Sequence, residues 1–183
     1  MYRVIKMILY IDCCMREESR TRYLAKKFLS GKEYESLIIE NENIQPLNGK
    51  TLREREELLN KGEFTAPMFR YANQLKEADT IVISAPYWDL LFPAALRAYI
   101  EQICVCGITF KYNEKGIPVS LCKAKKLIYV TTAGGYVGDN LGYEYIRQVA
   151  STFFGIEECK CIKAEGLDIW GNNPDEILKD VEI

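Results

Sequence analysis

The feature that most constrains the fold is an alternation, along the whole chain, of short apolar runs with stripes of apolar residues at helical spacing. Residues 7–11 form an unbroken apolar run, which is typical of a strand covered on both faces. The same reading predicts four further strands, at residues 36–39, 80–84, 127–131 and 159–164. No internal repeat or low-complexity linker interrupts the pattern. We therefore expect one domain spanning residues 1–183.

Helices are predicted between these strands from capping residues and from amphipathic stripes. Residues 19–30 and 51–61 are expected to be helical, and Pro93 suits the first turn of another helix. A later helix is expected to end at Gly155. Thr65 is expected to cap a helix with four apolar positions: Met68, Tyr71, Ala72 and Leu75.

Five strands separated by helices predict a parallel sheet with right-handed crossovers and helices on both faces. Of the two common doubly wound orders, the dinucleotide-binding order carries a glycine-rich fingerprint after its first strand. Residues 12–21 follow the first strand here and contain no glycine. We therefore predict an α/β, flavodoxin-like fold with a doubly wound five-stranded parallel sheet in the order 2-1-3-4-5.

Charge and the absence of one residue type exclude several functions. The chain has 24 Lys and Arg against 26 Asp and Glu, a net charge of -2, so it lacks the basic excess of nucleic-acid and acidic-membrane binders. It contains no histidine, which excludes Ser-His-Asp hydrolysis, Cys-His proteolysis and His-ligated metal sites. The demanding chemical step is therefore expected to belong to other groups or to a cofactor.

The seven cysteines and the apolar runs bear on location. No apolar run is long enough to span a bilayer, and charged residues follow the first run directly, so neither a membrane span nor a signal peptide is expected. We predict a cytoplasmic protein with reduced thiols, most of them buried as small apolar side chains, and no metal site.

Three loops follow strands one, three and four, and their carboxyl ends are expected to share one edge of the sheet. Residues 12–21 end at a helix start with hydroxyls and free N–H groups, which suit a phosphate or an ordinary helix cap. Residues 85–93 form an aromatic loop between two prolines, and residues 131–136 contain paired glycines that allow close approach of a flat ligand. Together they favour a bound mononucleotide.

Several of these segments resemble a known family. Residues 84–93, 96–100 and 107–112, together with residues 131–135 and 164–166, are similar to the FMN-dependent azoreductases and NAD(P)H:quinone reductases in order and spacing. The resemblance implies a flavodoxin-like fold, bound FMN and a homodimer. It also implies two-electron transfer from NADH or NADPH to quinones, azo compounds or nitroaromatics, in a hydride relay at the flavin N5 that needs no catalytic side chain.

The resemblance also assigns the cofactor-binding residues by position. Cys13 falls where a first-loop phosphate contact is expected, although the family often has serine there, and a thiol is a weaker donor. The remaining predicted FMN contacts are Ser19, Arg20, Thr21, Pro86, Tyr87, Trp88, Asp89, Leu90, Thr132, Ala133, Gly134 and Gly135.

Two other functions stay open on the sequence: an electron carrier of the same fold, and a cofactor-free binding module. A carrier is expected to be more acidic than this chain. Phe110 and Tyr112 suit either a dimer rim or local packing. Residues 51–64 are a candidate cover for the pocket, and the charges of residues 53–57 are expected to form a solvated helical face.

Overall fold

The protein is described by a computed structural model that covers residues 7–183. A five-stranded parallel sheet runs through its centre and is built from β1 (Ile8–Asp12), β2 (Glu35–Ile38), β3 (Thr80–Ser84), β6 (Lys126–Thr132) and β7 (Glu158–Ala164). The order of these strands in the sheet is β2-β1-β3-β6-β7. The predicted fold class and strand order are confirmed, because these strands are first to fifth among those that build the sheet.

In the described part of the chain, six α-helices accompany the sheet: α1 (Arg20–Leu29), α2 (Gly49–Asn60), α3 (Arg70–Glu77), α4 (Ala94–Ile103), α5 (Leu141–Phe154) and α6 (Pro174–Asp180). Side chains alternate along each strand, so one face of the sheet packs against α1 and α6 through Tyr10, Val82 and Ile128. The other face packs against α3, α4 and α5 through Leu9, Ile81 and Leu127. No helix within residues 7–183 has the length and apolar character needed to cross a bilayer.

Two short strands and one short helix were not predicted. An antiparallel hairpin, β4 (Phe110–Tyr112) and β5 (Pro118–Ser120), lies between α4 and β6, outside the main sheet. Three-residue strands give too short an alternation to be recognised in the sequence. Phe110 is buried, and the centre of its ring lies 4.7 Å from that of the Phe153 ring, which favours local packing for this residue, while Tyr112 stays exposed. The short helix α6 was also missed.

Two predicted helix starts are wrong. Thr65 caps no helix, because a single 3-10 turn at Pro67–Phe69 comes first and α3 begins only at Arg70. Phe69 is buried in a small cluster with Val105 and Ile108, and this tertiary contact fixes where the helix starts. Pro93 precedes the first turn of α4 rather than lying within it.

The charged helix α2 is not simply a solvated face. Arg55 is half-buried and donates from Nη1 to the Glu101 carbonyl at 2.9 Å and from Nη2 to the Cys104 carbonyl. These acceptors are the last carbonyls of α4, which have no partner within that helix. Arg55 therefore docks α2 on the carboxyl end of α4, and α2 contributes nothing to the cavity described below.

Candidate functional site

The three predicted loops meet at one edge of the sheet because neighbouring strands place them there. Asp12, Ser84 and Val130 are adjacent in the register of β1, β3 and β6. The chain then leaves each strand in step, with Cys13 N donating to the Ser84 carbonyl at 2.8 Å and Ala85 N donating to the Val130 carbonyl at 3.0 Å. This edge is the carboxyl end of a parallel sheet, where ligands bind in open α/β folds.

A cavity of about 480 Å³ lies between these loops. That volume falls in the range of small-molecule sites. Nine of the thirteen predicted residues line it: Ser19, Arg20, Thr21, Pro86, Tyr87, Trp88, Thr132, Ala133 and Gly134. Five lining residues were not predicted: Met15, Arg16, Glu18, Leu167 and Asp168.

The missed residues had signals in the sequence. Three of them lie inside the first candidate loop, beside residues that were chosen. Leu167 and Asp168 follow the last strand, β7, whose carboxyl end lies on the same edge of the sheet as the other three. A parallel sheet predicts that this fourth loop also borders the site.

Four predicted residues do not line the cavity. Cys13 is fully buried in the apolar core, and burial raises the pKa of its thiol well above its ordinary value. Its side chain therefore packs in the core and does not line the cavity, so the structure gives the predicted phosphate contact of Cys13 no support. Asp89 and Leu90 lie at the tip of the aromatic loop, and Gly135 is exposed beyond Gly134.

The aromatic loop ends in a tight turn with an unusual backbone. Trp88 and Leu91 pair across it, and Asp89 and Leu90 have φ angles of 50° and 68°. Leucine rarely adopts this left-handed region, so the turn is locally strained, as is common near functional sites. Its outer side borders a second cavity of about 580 Å³, which Trp88 shares with Phe92, Arg97 and Tyr145.

One end of the cavity is formed by the amino-terminal end of α1. Ser19 is the N-cap and its Oγ accepts from Arg22 N at 3.3 Å. The N–H groups of Arg20 and Thr21 have no acceptor within the helix, and they add to the positive end of the helix dipole. Thr21 Oγ1 lies 2.6 Å from Thr132 Oγ1, which ties the helix start to the end of β6. This end of the cavity suits an anion.

The opposite wall is formed by the loops that follow β6 and β7, which are joined by backbone hydrogen bonds. Leu167 N donates to the Ala133 carbonyl at 3.2 Å, and Asp168 N donates to the Gly134 carbonyl at 2.8 Å. Within residues 7–183, the N–H groups of Gly134 and Gly135 donate to no acceptor and are therefore available to a ligand. Arg20 pairs with Asp168 at 2.7 Å, so one ion pair joins the anion end of the cavity to this wall.

Thiol chemistry has little support at this site. Cys14 is buried beside the first loop, and burial raises the pKa of its thiol to about 11. The thiol therefore stays protonated near neutral pH and is a poor nucleophile and metal ligand. In the part of the chain that the structure describes, no group of three or more Cys, Asp or Glu side chains is arranged to hold a metal ion.

Comparison with known proteins shows which family the chain belongs to. The profile of the family with a flavodoxin-like fold matches residues 6–182. An FMN-dependent NADH:quinone oxidoreductase of Clostridium beijerinckii is 35% identical over 186 residues, covering 94% of this chain and 92% of that protein. The chain belongs to this family. The family predicted from the sequence is thereby confirmed, and with it the prediction that the chain is an oxidoreductase enzyme.

Two further relatives match the chain at different levels of identity and coverage. The FMN-dependent NADH:quinone oxidoreductase 2 of Clostridium acetobutylicum is 43% identical over 118 residues, and that match covers 61% of this chain and 58% of the relative. A solved azoreductase from Bacillus anthracis superposes with a TM-score of 0.79 at 24% identity, over 95% of this chain and 93% of that one. This structural likeness supports the flavodoxin-like fold.

Proposed function

We propose that the chain is an FMN-dependent NADH:quinone oxidoreductase that also reduces azo compounds and nitroaromatics in a ping-pong cycle. The observation that carries the proposal is the cavity that joins an anion-binding helix start to the free N–H group of Gly134. Relatives that align along almost the whole chain are FMN-dependent NADH:quinone oxidoreductases. NADPH as an alternative donor and a cytoplasmic location stay predictions.

The residues present fit FMN end to end. Ser19, Thr21 and the first N–H groups of α1 would hold the phosphate, as helix starts do for other phosphates. Gly134 offers an N–H donor where a polar ring edge would meet the wall, and Tyr87 and Trp88 supply flat aromatic surface. FMN, when bound, supplies the hydride-accepting and hydride-donating chemistry. The chain itself orients the ring and excludes water, which is consistent with the absence of histidine.

The second cavity supports the class of acceptor. It lies across Trp88 from the first and is lined by Phe92, Tyr145 and apolar atoms of the aromatic loop. The Arg97 guanidinium lies 5.9 Å from the centre of the Tyr145 ring and 3.3 Å from Glu101. A flat aromatic acceptor with electron-withdrawing oxygens suits such a wall, because it can stack on the rings beside a cation.

We expect the purified protein to bind FMN, to lose its yellow colour when NADH is added without oxygen, and to regain it when a quinone follows. Stopped-flow absorption measures both half-reactions, and parallel double-reciprocal plots would support the ping-pong cycle. Rapid reduction by NADH but not by NADPH would identify NADH as the preferred electron donor.

Two other outcomes would contradict this function. A protein that takes up no FMN would favour the cofactor-free binding module. A flavin that NADH reduces only slowly, but that exchanges single electrons quickly with a partner protein, would favour the electron carrier.

A homodimer is part of the same proposal. Large apolar side chains stand exposed on the aromatic loop, at Trp88, Leu90 and Leu91. Two more exposed aromatic residues, Tyr136 and Trp170, follow the cavity-lining residues Gly134 and Asp168 by two positions. Trp170 is 98% exposed and Leu90 is 63% exposed, which is costly for a surface that never meets another protein. A second copy of the chain would cover this rim and enclose the cavities.

We expect Leu90→Asp to shift the protein from dimer to monomer, since a charge at the centre of an apolar contact must be desolvated. Analytical ultracentrifugation at several concentrations measures the dissociation constant. Leu52→Asp is the matched control, because Leu52 is an exposed leucine on α2, away from both cavities. A wild-type protein that stays monomeric at high concentration would contradict the dimer.

A further inference from the structure

One arginine donates hydrogen bonds to several backbone carbonyls of the first loop but does not line the cavity. Arg22, in the first turn of α1, donates from Nη1 to the carbonyls of Arg16 at 2.6 Å and Glu17 at 2.9 Å. Its Nη2 donates to the Cys14 carbonyl, and its Nε donates to Asp12 Oδ2 at 2.5 Å. Every nitrogen of the guanidinium therefore has an acceptor, and three of these acceptors belong to one loop.

Arg22 is in turn positioned by Asp12, the last residue of β1. Asp12 is 3% exposed, and its Oδ1 accepts from Cys14 N at 2.9 Å and from Ser84 Oγ at 3.2 Å. The Ser84 hydroxyl also lies 2.9 Å from the Tyr10 hydroxyl. The Asp12 carboxylate is therefore fixed at the ends of β1 and β3, and it fixes the plane of the Arg22 guanidinium.

This arrangement decides which polar groups the loop offers to a ligand. The carbonyls of Cys14, Arg16 and Glu17 are turned to Arg22. By contrast, the N–H groups of residues 15–19 donate to no acceptor elsewhere in the described chain. Residues from this stretch line the cavity, Glu18 among them, so the loop can present N–H donors there while three of its carbonyls are withdrawn. A free carbonyl beside a phosphate would repel it, and a free N–H attracts it.

We propose that Arg22 is a positioning residue for the phosphate of the cofactor: it draws the carbonyls of Cys14, Arg16 and Glu17 to itself, so that the N–H groups of the first loop are left free for the anion. The inference rests on the proposed function, because the anion is the FMN phosphate. Arg22 acts through the loop and does not line the cavity itself. The role needs the planar fork of arginine, since a lysine ammonium cannot hold three carbonyls and a carboxylate in one plane.

The test compares FMN with riboflavin, which carries the same ring but no phosphate. Dissociation constants for both flavins are measured by fluorescence quenching on wild type, Arg22→Lys and Arg22→Gln. We expect each variant to bind FMN at least about tenfold more weakly, because several charge-assisted contacts in the loop are lost. Riboflavin binding should stay unchanged, so the preference for FMN should fall by the same factor.

The matched control is Arg147→Gln, which removes an exposed arginine that pairs with Glu144 at 2.7 Å on α5. It should leave both affinities unchanged. Unchanged riboflavin binding also reports that a variant is folded at the ring site, and thermal unfolding gives an independent check. If both variants keep the wild-type ratio of FMN to riboflavin affinity, or lose both flavins equally, the inference is wrong. A wild-type protein that binds neither flavin would instead overturn the proposed function, and the inference with it.

Discussion

Replacing Gly134 with valine is expected to weaken FMN binding by at least about 100-fold, and with alanine by about tenfold, while the protein stays folded. A Cβ at this position would collide with the carboxylate of Asp168, whose Cγ would lie only 3.1 Å away. The Asp168 backbone cannot retreat, because its N–H donates to the Gly134 carbonyl at 2.8 Å. The side chain must therefore swing away and leave Arg20, which disturbs the cavity wall and the anion end together.

Titration of the apoproteins with FMN measures the effect. Gly138→Ala is the matched control, because Gly138 lies in the same loop and a Cβ there meets nothing within 4 Å. The control should bind FMN like wild type. Wild-type affinity in Gly134→Val would contradict the placement of FMN against this wall, provided that circular dichroism finds the variant folded.

Replacing Leu96 with alanine is expected to lower the free energy of unfolding by about 4 kcal/mol, towards the upper end for such truncations. Leu96 is fully buried where α4 packs on the sheet. It already borders a small cavity of about 20 Å³ together with Ile81, Ile146 and Tyr99. The truncation enlarges an existing void, so fewer neighbours can relax into the space. The melting temperature should fall by about 10 °C.

Chemical denaturation with urea measures the loss, and Leu96→Met is the control because it keeps the volume and should cost less than about 1.5 kcal/mol. Added benzene should restore part of the melting temperature of Leu96→Ala, since an apolar cavity of this kind stays dry and accepts small apolar ligands. A loss of less than about 1 kcal/mol for Leu96→Ala would contradict the packing described for this face of the sheet.

The sequence predicted the main sheet well because each of its strands carries its own signal. The range 80–84 was predicted and observed without change, and the other strands differ by no more than one residue at each end. The errors concern elements that depend on distant contacts. The start of α3 is set by burial of Phe69, and Arg55 was assigned to a solvated face although it binds the end of α4.

The candidate site was predicted in part for a similar reason. Loops that follow the first, third and fourth sheet strands were expected to meet, and most of the chosen residues line one cavity. Cys13 was expected at the cavity but packs in the core, because position along the loop does not reveal which side chains turn inward. Asp168 was missed because its place opposite Arg20 requires the last strand to be in position.

The sequence by itself determined the alternation of strands and helices, the order of the sheet and the family, because these depend on local patterns and on handed crossovers that every such chain obeys. Only the tertiary structure decided which loop atoms face the cavity. That choice depends on contacts between residues far apart in the chain, such as Thr21 with Thr132 and Arg20 with Asp168. Their geometry exists only once the strands have brought the loops to one edge, since no local spacing fixes the distance between them.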